Sequence, residues 1–441
     1  MPDLTYAIKV WVDEVARSTV VDPDAPPAPS LTKRRGPEAT RLSQPSQANS
    51  GSTPVTETSW REAISVTETQ VSLPSRPTTS IFSEKTGSRA RARSHIKNRA
   101  DLRFARIEMR DLRKRETLPK LPESARELLK RLGAVNRGEG IIPSIIREEF
   151  QAAGGEFGPS NLITTSYHLT KDEALRELQG IVDIVDNAAS CSDESQSEAA
   201  WNALVHCRVF EWALANSAGK SVKSWLVTSA RMVPGVASKV GNPGNSGGAG
   251  SKMVDFCLTI EPTNPEQVTD IMEYQQASQL QTLNQSMYPP LRFRPVAIAV
   301  ETNVDTSQET GETQLGIWTK AWFNRIYMLL QSRDALSSCP PLPLISIRGN
   351  HWFVLIAYLE EEGKNTDASH LQQLDEQSQG GEGLPKLVLA GQRDIGNTNS
   401  IYNTYQLLKS IRLLVDWAES DFRNYIDQVV MPIAMNVWVP Q

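Results

Sequence analysis

The chain has 441 residues, 39% of them hydrophobic, and a net charge of -5, with no apolar run near the roughly 18 residues a membrane span needs. Its four cysteines (Cys191, Cys207, Cys257, Cys339) form no CxxC pair, which argues against a zinc site or disulfide framework and for reduced thiols. Met1-Pro2-Asp3-Leu4 has neither the basic start nor the apolar stretch of a secretory leader, so an intracellular protein, nuclear or cytoplasmic, is expected.

Leu4, Ile8, Trp11, Val12 and Val15 recur at helical spacing and predict a short amphipathic helix over 1–19. Residues 20–117 read as a disordered arm rich in Ser, Pro and Arg, because so few large aliphatics cannot offset the entropy of ordering the chain. Within it, residues 84–120 hold thirteen Lys and Arg against five acids. That local +8 leaves -13 on the rest of the chain. A basic arm on an acidic body suits nucleic acid or an import receptor. Ala100–Arg115 also reads as a solvated helix of alternating charge.

One folded domain is expected over 118–430. Helical patterns run over Glu123–Leu132, Pro143–Ala153, Lys171–Ala188 (with Thr170 as cap) and Glu198–Asn216, where Trp201, Val205, Val209 and Trp212 share a face. Short β-branched runs follow at Val222–Thr228 and Met253–Ile260, joined by a Gly-rich hairpin loop, Gly241–Gly250, whose spacing fits no phosphate-binding fingerprint. A long polar connection (Pro262–Pro290) leads to a strand at Val296–Glu301 and a helix over Gln314–Leu330. Strands at Leu342–Ile347, Trp352–Tyr358 and Leu387–Leu389, an acidic insert over Glu360–Gly383 and a helix over Ser400–Val429 complete the pattern. The order predicts an α/β chain with a mixed sheet flanked by helices.

The histidines are scattered and no GxSxG elbow is present, so neither HExxH metal chemistry nor serine hydrolysis has support. Acids in buried strands stand out instead. Asp255 lies inside MVDFCLTI and Glu301 ends VAIAVE. An acid in an apolar run needs a partner or a cation. Two carboxylates on adjacent strands can hold a hard divalent ion through oxygen. Glu198, on the apolar face of its helix, is a third candidate ligand, or the acid of a Ser195-x-x-Glu198 capping box. Asp255 has a plainer reading as an ion pair with Lys252, Arg292 or Arg294.

The segments E198xxWNxxVH206, KMVDF around Asp255, LRFRPVAIAVETN and QLGIWTKAWFNRI together resemble a fungal PD-(D/E)XK nuclease-like domain over about Leu118–Tyr425. The resemblance implies a restriction-endonuclease-like αβββαβ core. It also implies Mg²⁺ or Mn²⁺ at Asp255 and Glu301, assisted by Glu198, and a positioning role for Gln314 of a Gln314-x-x-x-Trp318 motif. The pattern's lysine is replaced by Asn303, which brings no positive charge, with Lys320 or Lys252 as a displaced substitute. Three functional readings follow: a metal-dependent nuclease holding nucleic acid through the basic arm, a catalytically degenerate relative that binds nucleic acid or protein, and an accessory protein of a fungal secondary-metabolite pathway.

Overall fold

The computed structural model describes residues 96, 98–163, 169–215, 221–237, 253–262, 264–277, 281–304, 308–360 and 385–438, all within the compact unit Thr86–Gln441. The expected helix over 1–19, most of the arm, the Gly241–Gly250 loop, Lys252 and the acidic insert lie outside the described residues.

Seven strands form the main sheet, and Ile142–Pro143 pairs with Leu162–Ile163 in a separate two-stranded one. In chain order the seven are β1 (Ile107–Asp111), β2 (Val222–Leu226), β3 (Phe256–Ile260), β4 (Val296–Asn303), β5 (Leu342–Arg348), β6 (His351–Glu360) and β7 (Lys386–Asn397). They lie in the order β1-β7-β6-β5-β4-β3-β2. β2, β3 and β4 pair antiparallel, β4 and β5 parallel, β5, β6 and β7 antiparallel, and β1 and β7 parallel. A parallel step needs a crossover, and the helix α5 described below supplies the one between β4 and β5. Seven of the eight β4 residues are buried. Such a strand, covered on both faces, reads as a continuous apolar run rather than an alternating one.

The helices make two layers. On one face lie α1 (Glu123–Asn136), α2 (Lys171–Asp193) and α3, which opens at Glu198–Trp201, widens to a π turn at Asn202–His206 and continues over Cys207–Ala215. Thr170 caps α2 as expected: its hydroxyl accepts from Glu173 N, and the Glu173 carboxylate accepts from Thr170 N at 2.8 Å. Phe210 of α3 packs against Phe256 of β3 and Trp352 of β6, at ring separations of 5.3 Å. After α4 (Pro265–Ala277), the long α5 (Gln308–Leu330) covers the opposite face of the sheet. Finally α6 (Ile401–Trp417) joins the α3 layer, and its continuation brings Phe422 against Trp322 of α5.

The structure departs from the sequence reading in two places. The expected arm over 20–117 overlaps ordered chain: Ala100–Ala105 is a 3-10 helix, and Ile107–Asp111 is an edge strand rather than part of a charged helix. Leu102 and Ile107, both buried, anchor a segment whose charges otherwise hide it. The Pro262–Pro290 connection holds α4 and a buried polar stretch, in which the Asn284 amide donates to the Leu291 and Arg294 carbonyls. Fixed polar partners there replace the apolar pattern that would have revealed it.

A glycine shows how tightly the layers meet. A Cβ on Gly180, inside α2, would fall within the Trp212 indole of α3. Gly to Ala in a helix interior ordinarily gains about 1 kcal/mol. Here overpacking costs about 1–3 kcal/mol, so Gly180→Ala is expected to lower the melting temperature by several degrees, at about 2–4 °C per kcal/mol. An unchanged or raised melting temperature in calorimetry would contradict this packing.

Candidate functional site

The end of β4 gathers the acids. Asp255 precedes β3; its N–H donates to Val300 O at 3.0 Å. Its Oδ2 accepts from Thr302 N at 2.9 Å and from Thr302 Oγ1 at 2.8 Å. Burial raises the Asp255 pKa above the usual carboxylate range, with the two Thr302 hydrogen bonds acting in the opposite direction. Two of the three cations weighed as its partners are engaged elsewhere, and the third, Lys252, lies outside the described residues. Arg292 donates to the Gln281 carbonyl at 2.8 Å, and Arg294 pairs with Glu261 at 2.5 Å.

Glu301, 5% exposed, is the neighbour of Thr302 on the same strand. The Gln314 amide of α5 donates both to Glu301 Oε1 and, at 3.1 Å, to Met253 O. One side chain therefore ties the segment carrying Asp255 to the strand carrying Glu301. Gly311, one turn earlier on α5, lies directly over Glu301 and Ser346, where a Cβ would sit 3.4 Å from Glu301 Cγ.

Two expected members of the site are placed otherwise. Glu198 is exposed at the start of α3, with Ser197 rather than Ser195 as the cap, so neither a ligand facing the sheet nor the Ser195 capping box is formed. No third Asp, Glu, His or Cys joins Asp255 and Glu301 among the described residues. Lys320 is buried, but it lies six residues beyond Gln314, about 9 Å further along the helix axis. Its Nζ donates to Pro385 O, just before β7 begins. β7 runs parallel to β4, so Lys320 sits at the opposite end of the sheet from Glu301 and cannot replace the missing lysine. Burial, and secondarily Arg106, lowers its pKa to about 8. Asn303 occupies the expected place, half-buried at the end of β4 beside Arg348 of β5.

Sequence reasoning missed Thr302, Arg348 and His206. His206 was visible only as part of a motif. It is buried between Trp201 and Trp352, with Nδ1 2.9 Å from the Asn202 side-chain amide and Nε2 donating to Gly349 O at 3.0 Å. Gly349 N in turn donates to Asn303 O at 2.9 Å. The β5–β6 turn is thus pinned from both sides, and Gly349 takes the positive φ (54°) that the turn requires.

A family model described as the PD-(D/E)XK nuclease superfamily matches residues 152–423, more than half of the chain. The chain belongs to that superfamily. No curated protein and no solved structure matches it. Hydrogen bonds link the Asp255 segment, Glu301 and Gln314 at one sheet end, and Asn303 follows two residues after Glu301 on the same strand. The donor set also fits the divalent ion of such nucleases. It is all oxygen, Asp255 is held by an amide and a hydroxyl rather than by a cation, and two carboxylates suit an ion that keeps several waters.

Burial holds the His206 pKa down at about 4, against an ordinary 6.5. A histidine depressed in the folded state contributes fully above the unfolded value, and its contribution is lost as pH falls from 6.5 toward 4. At about 1.4 kcal/mol per unit, this amounts to about 3 kcal/mol. His206→Gln is therefore expected to flatten the fall in melting temperature between pH 6.5 and 4. Equal slopes for the two proteins would show that His206 does not titrate this way.

Proposed function

We propose that this protein is a metal-dependent nuclease hydrolysing phosphodiester bonds of nucleic acid. The observation that carries the reading is the hydrogen-bond set at the end of β4, in which Thr302 holds Asp255 and Gln314 links Glu301 to Met253, two residues before Asp255, in a chain of the PD-(D/E)XK superfamily. Asp255 and Glu301 would hold Mg²⁺ or Mn²⁺, which when bound lowers the pKa of a water and offsets charge on the phosphate. Thr302 orients Asp255 through both of its donors, and Gln314 fixes Glu301 against β3. Asn303 can donate a hydrogen bond but adds no charge, so the chain's own electrostatic contribution at that position is weak.

The folded part of the basic segment supports a nucleic-acid partner. Arg99, Arg103 and Arg106, with Lys386, line a cleft beside β1. Along α5, Arg99 pairs with Glu312 at 3.6 Å, Leu102 lies against Gly316, and Arg106 acts electrostatically on Lys320. The basic track therefore begins at the turn of α5 that overlies the acids. Phosphate contacts of this kind position a strand without reading its sequence.

The second reading, a degenerate relative that binds nucleic acid without cutting, is favoured by Asn303. One assay separates the two: incubation of single- and double-stranded DNA and RNA with Mg²⁺ or Mn²⁺. A nuclease gives cleavage that Asp255→Asn and Glu301→Gln each lower by more than about a hundredfold and that Asn303→Lys raises by about tenfold. A folded protein that binds these substrates but cuts none of them would replace the catalytic reading with the binding one.

A further inference from the structure

Asn303 leaves the site without the cation that this chemistry needs, and the neighbouring strand carries one in register. β4 and β5 run parallel, with Glu301 opposite Ser346 and Asn303 opposite Arg348. Side chains two apart on a strand share a face, and paired residues of neighbouring strands share it too. Glu301, Asn303, Ser346 and Arg348 therefore all point toward the α5 side of the sheet. Strand spacing and rise put the Cα atoms of Arg348 and Glu301 about 8 Å apart, within reach of an arginine side chain.

The state of Arg348 is unusual. Its guanidinium lies over the Phe353 ring, 4.4 Å from the centroid. Its Nε and Nη2 are buried, and no hydrogen-bond partner for them is found among the described residues. Desolvation lowers its pKa, and the charge of Glu312 acts against that. Glu312 is itself engaged with Gln392, whose amide donates at 2.8 Å, and with Arg99. A buried guanidinium edge without an acceptor is costly and calls for one. Nε and Nη2 form the side-on edge of the fork, which matches two oxygens of a phosphate.

We propose that Arg348 is the phosphate-binding cation of this site, supplying from β5 the positive charge that Asn303 does not bring from β4. The stacking on Phe353 fixes the plane of the fork, while the His206–Gly349–Asn303 chain of hydrogen bonds fixes the turn that follows it. This inference rests on the nucleic-acid reading above and extends it to a named contact.

The test uses the full chain with Arg348→Met, Arg348→Lys and the double variant Arg348→Met/Asn303→Lys. Binding is read with a labelled DNA oligonucleotide in Ca²⁺ across a salt series, cleavage in Mn²⁺, and folding by melting temperature. Arg348→Met should weaken binding by about tenfold or more, and the slope of log affinity against log salt should fall by about one contact (about 0.7–0.9). Cleavage should drop by about 10²–10³, with Asn303→Lys restoring part of it; Arg348→Lys should keep the salt slope but not the rate. The melting temperature of Arg348→Met should be unchanged or higher, because it removes a half-buried guanidinium whose Nε and Nη2 have no hydrogen-bond acceptor among the described residues; a fall of several degrees would indicate a structural role and overturn the proposal. Wild-type cleavage and salt slope retained in Arg348→Met would overturn it while leaving the nuclease reading intact. No cleavage by wild type, with binding that still depends on Arg348, would defeat the nuclease reading and uphold the contact. Absence of any binding would defeat both.

Discussion

The constraint behind this molecule is the cost of holding two carboxylates, Asp255 and Glu301, in a largely dry place at the end of β4. An ionised acid taken out of water loses several kcal/mol of solvation unless protein groups replace the water. Nearly all of the local structure answers that demand. β4 is buried over seven of its eight residues, so Glu301, 5% exposed, is largely withdrawn from solvent. Thr302 gives Asp255 two donors, and Gln314 gives Glu301 one while gripping the Met253 carbonyl. Gly311, in the first turns of α5, lies over Glu301, where the positive end of the helix dipole favours negative charge. These donors to the two acids, Thr302 and Gln314, are neutral.

This arrangement also explains why the lysine position can change without loss of the fold. A lysine at 303 would have to bury its stem beside the acids; an asparagine ends the strand with a short polar group. Its main chain still pairs with β5 and accepts from Gly349, so the sheet keeps its register. Charge at the site is then a property of two strands together. The turn after β5, tied to α3 by His206, becomes as much a part of the site as the strand that carries Glu301.

Much of this was legible in the sequence, for identifiable reasons. Asp255 and Glu301 stood out because acids interrupt continuous apolar runs, and Gln314 because a family pattern places it one helix later. Central strands of a doubly covered sheet announce themselves by composition. Glu198 misled because helical periodicity gives a face but not the depth of a helix end: it lies exposed on the first turn. Lys320 misled for a related reason, since sequence distance from Gln314 does not say that α5 carries it the length of the sheet. Thr302 and Arg348 were illegible because their roles depend on strand register, which a single sequence does not specify.

The edge strand β1 gives the same lesson at larger scale. Its residues, Ile107-Glu108-Met109-Arg110-Asp111, read as part of a charged arm, because only one of them is fully buried and the others carry charge or sit at the margin. Paired beside β7, those charges find fixed partners. Arg110 bridges Glu108 at 2.7 Å and Glu360 at 2.5 Å, and Lys386 reaches Glu108 at 2.7 Å. Charges of this kind blunt an exposed sheet edge against pairing with other chains. The same basic segment that suggests a nucleic-acid partner thus also closes the sheet, and the arginines preceding β1 are carried on a rigid element that starts beside the acids. Anchored by Leu102 and Ile107, with Leu102 against Gly316, this element has a fixed course along α5 that a flexible arm would lack.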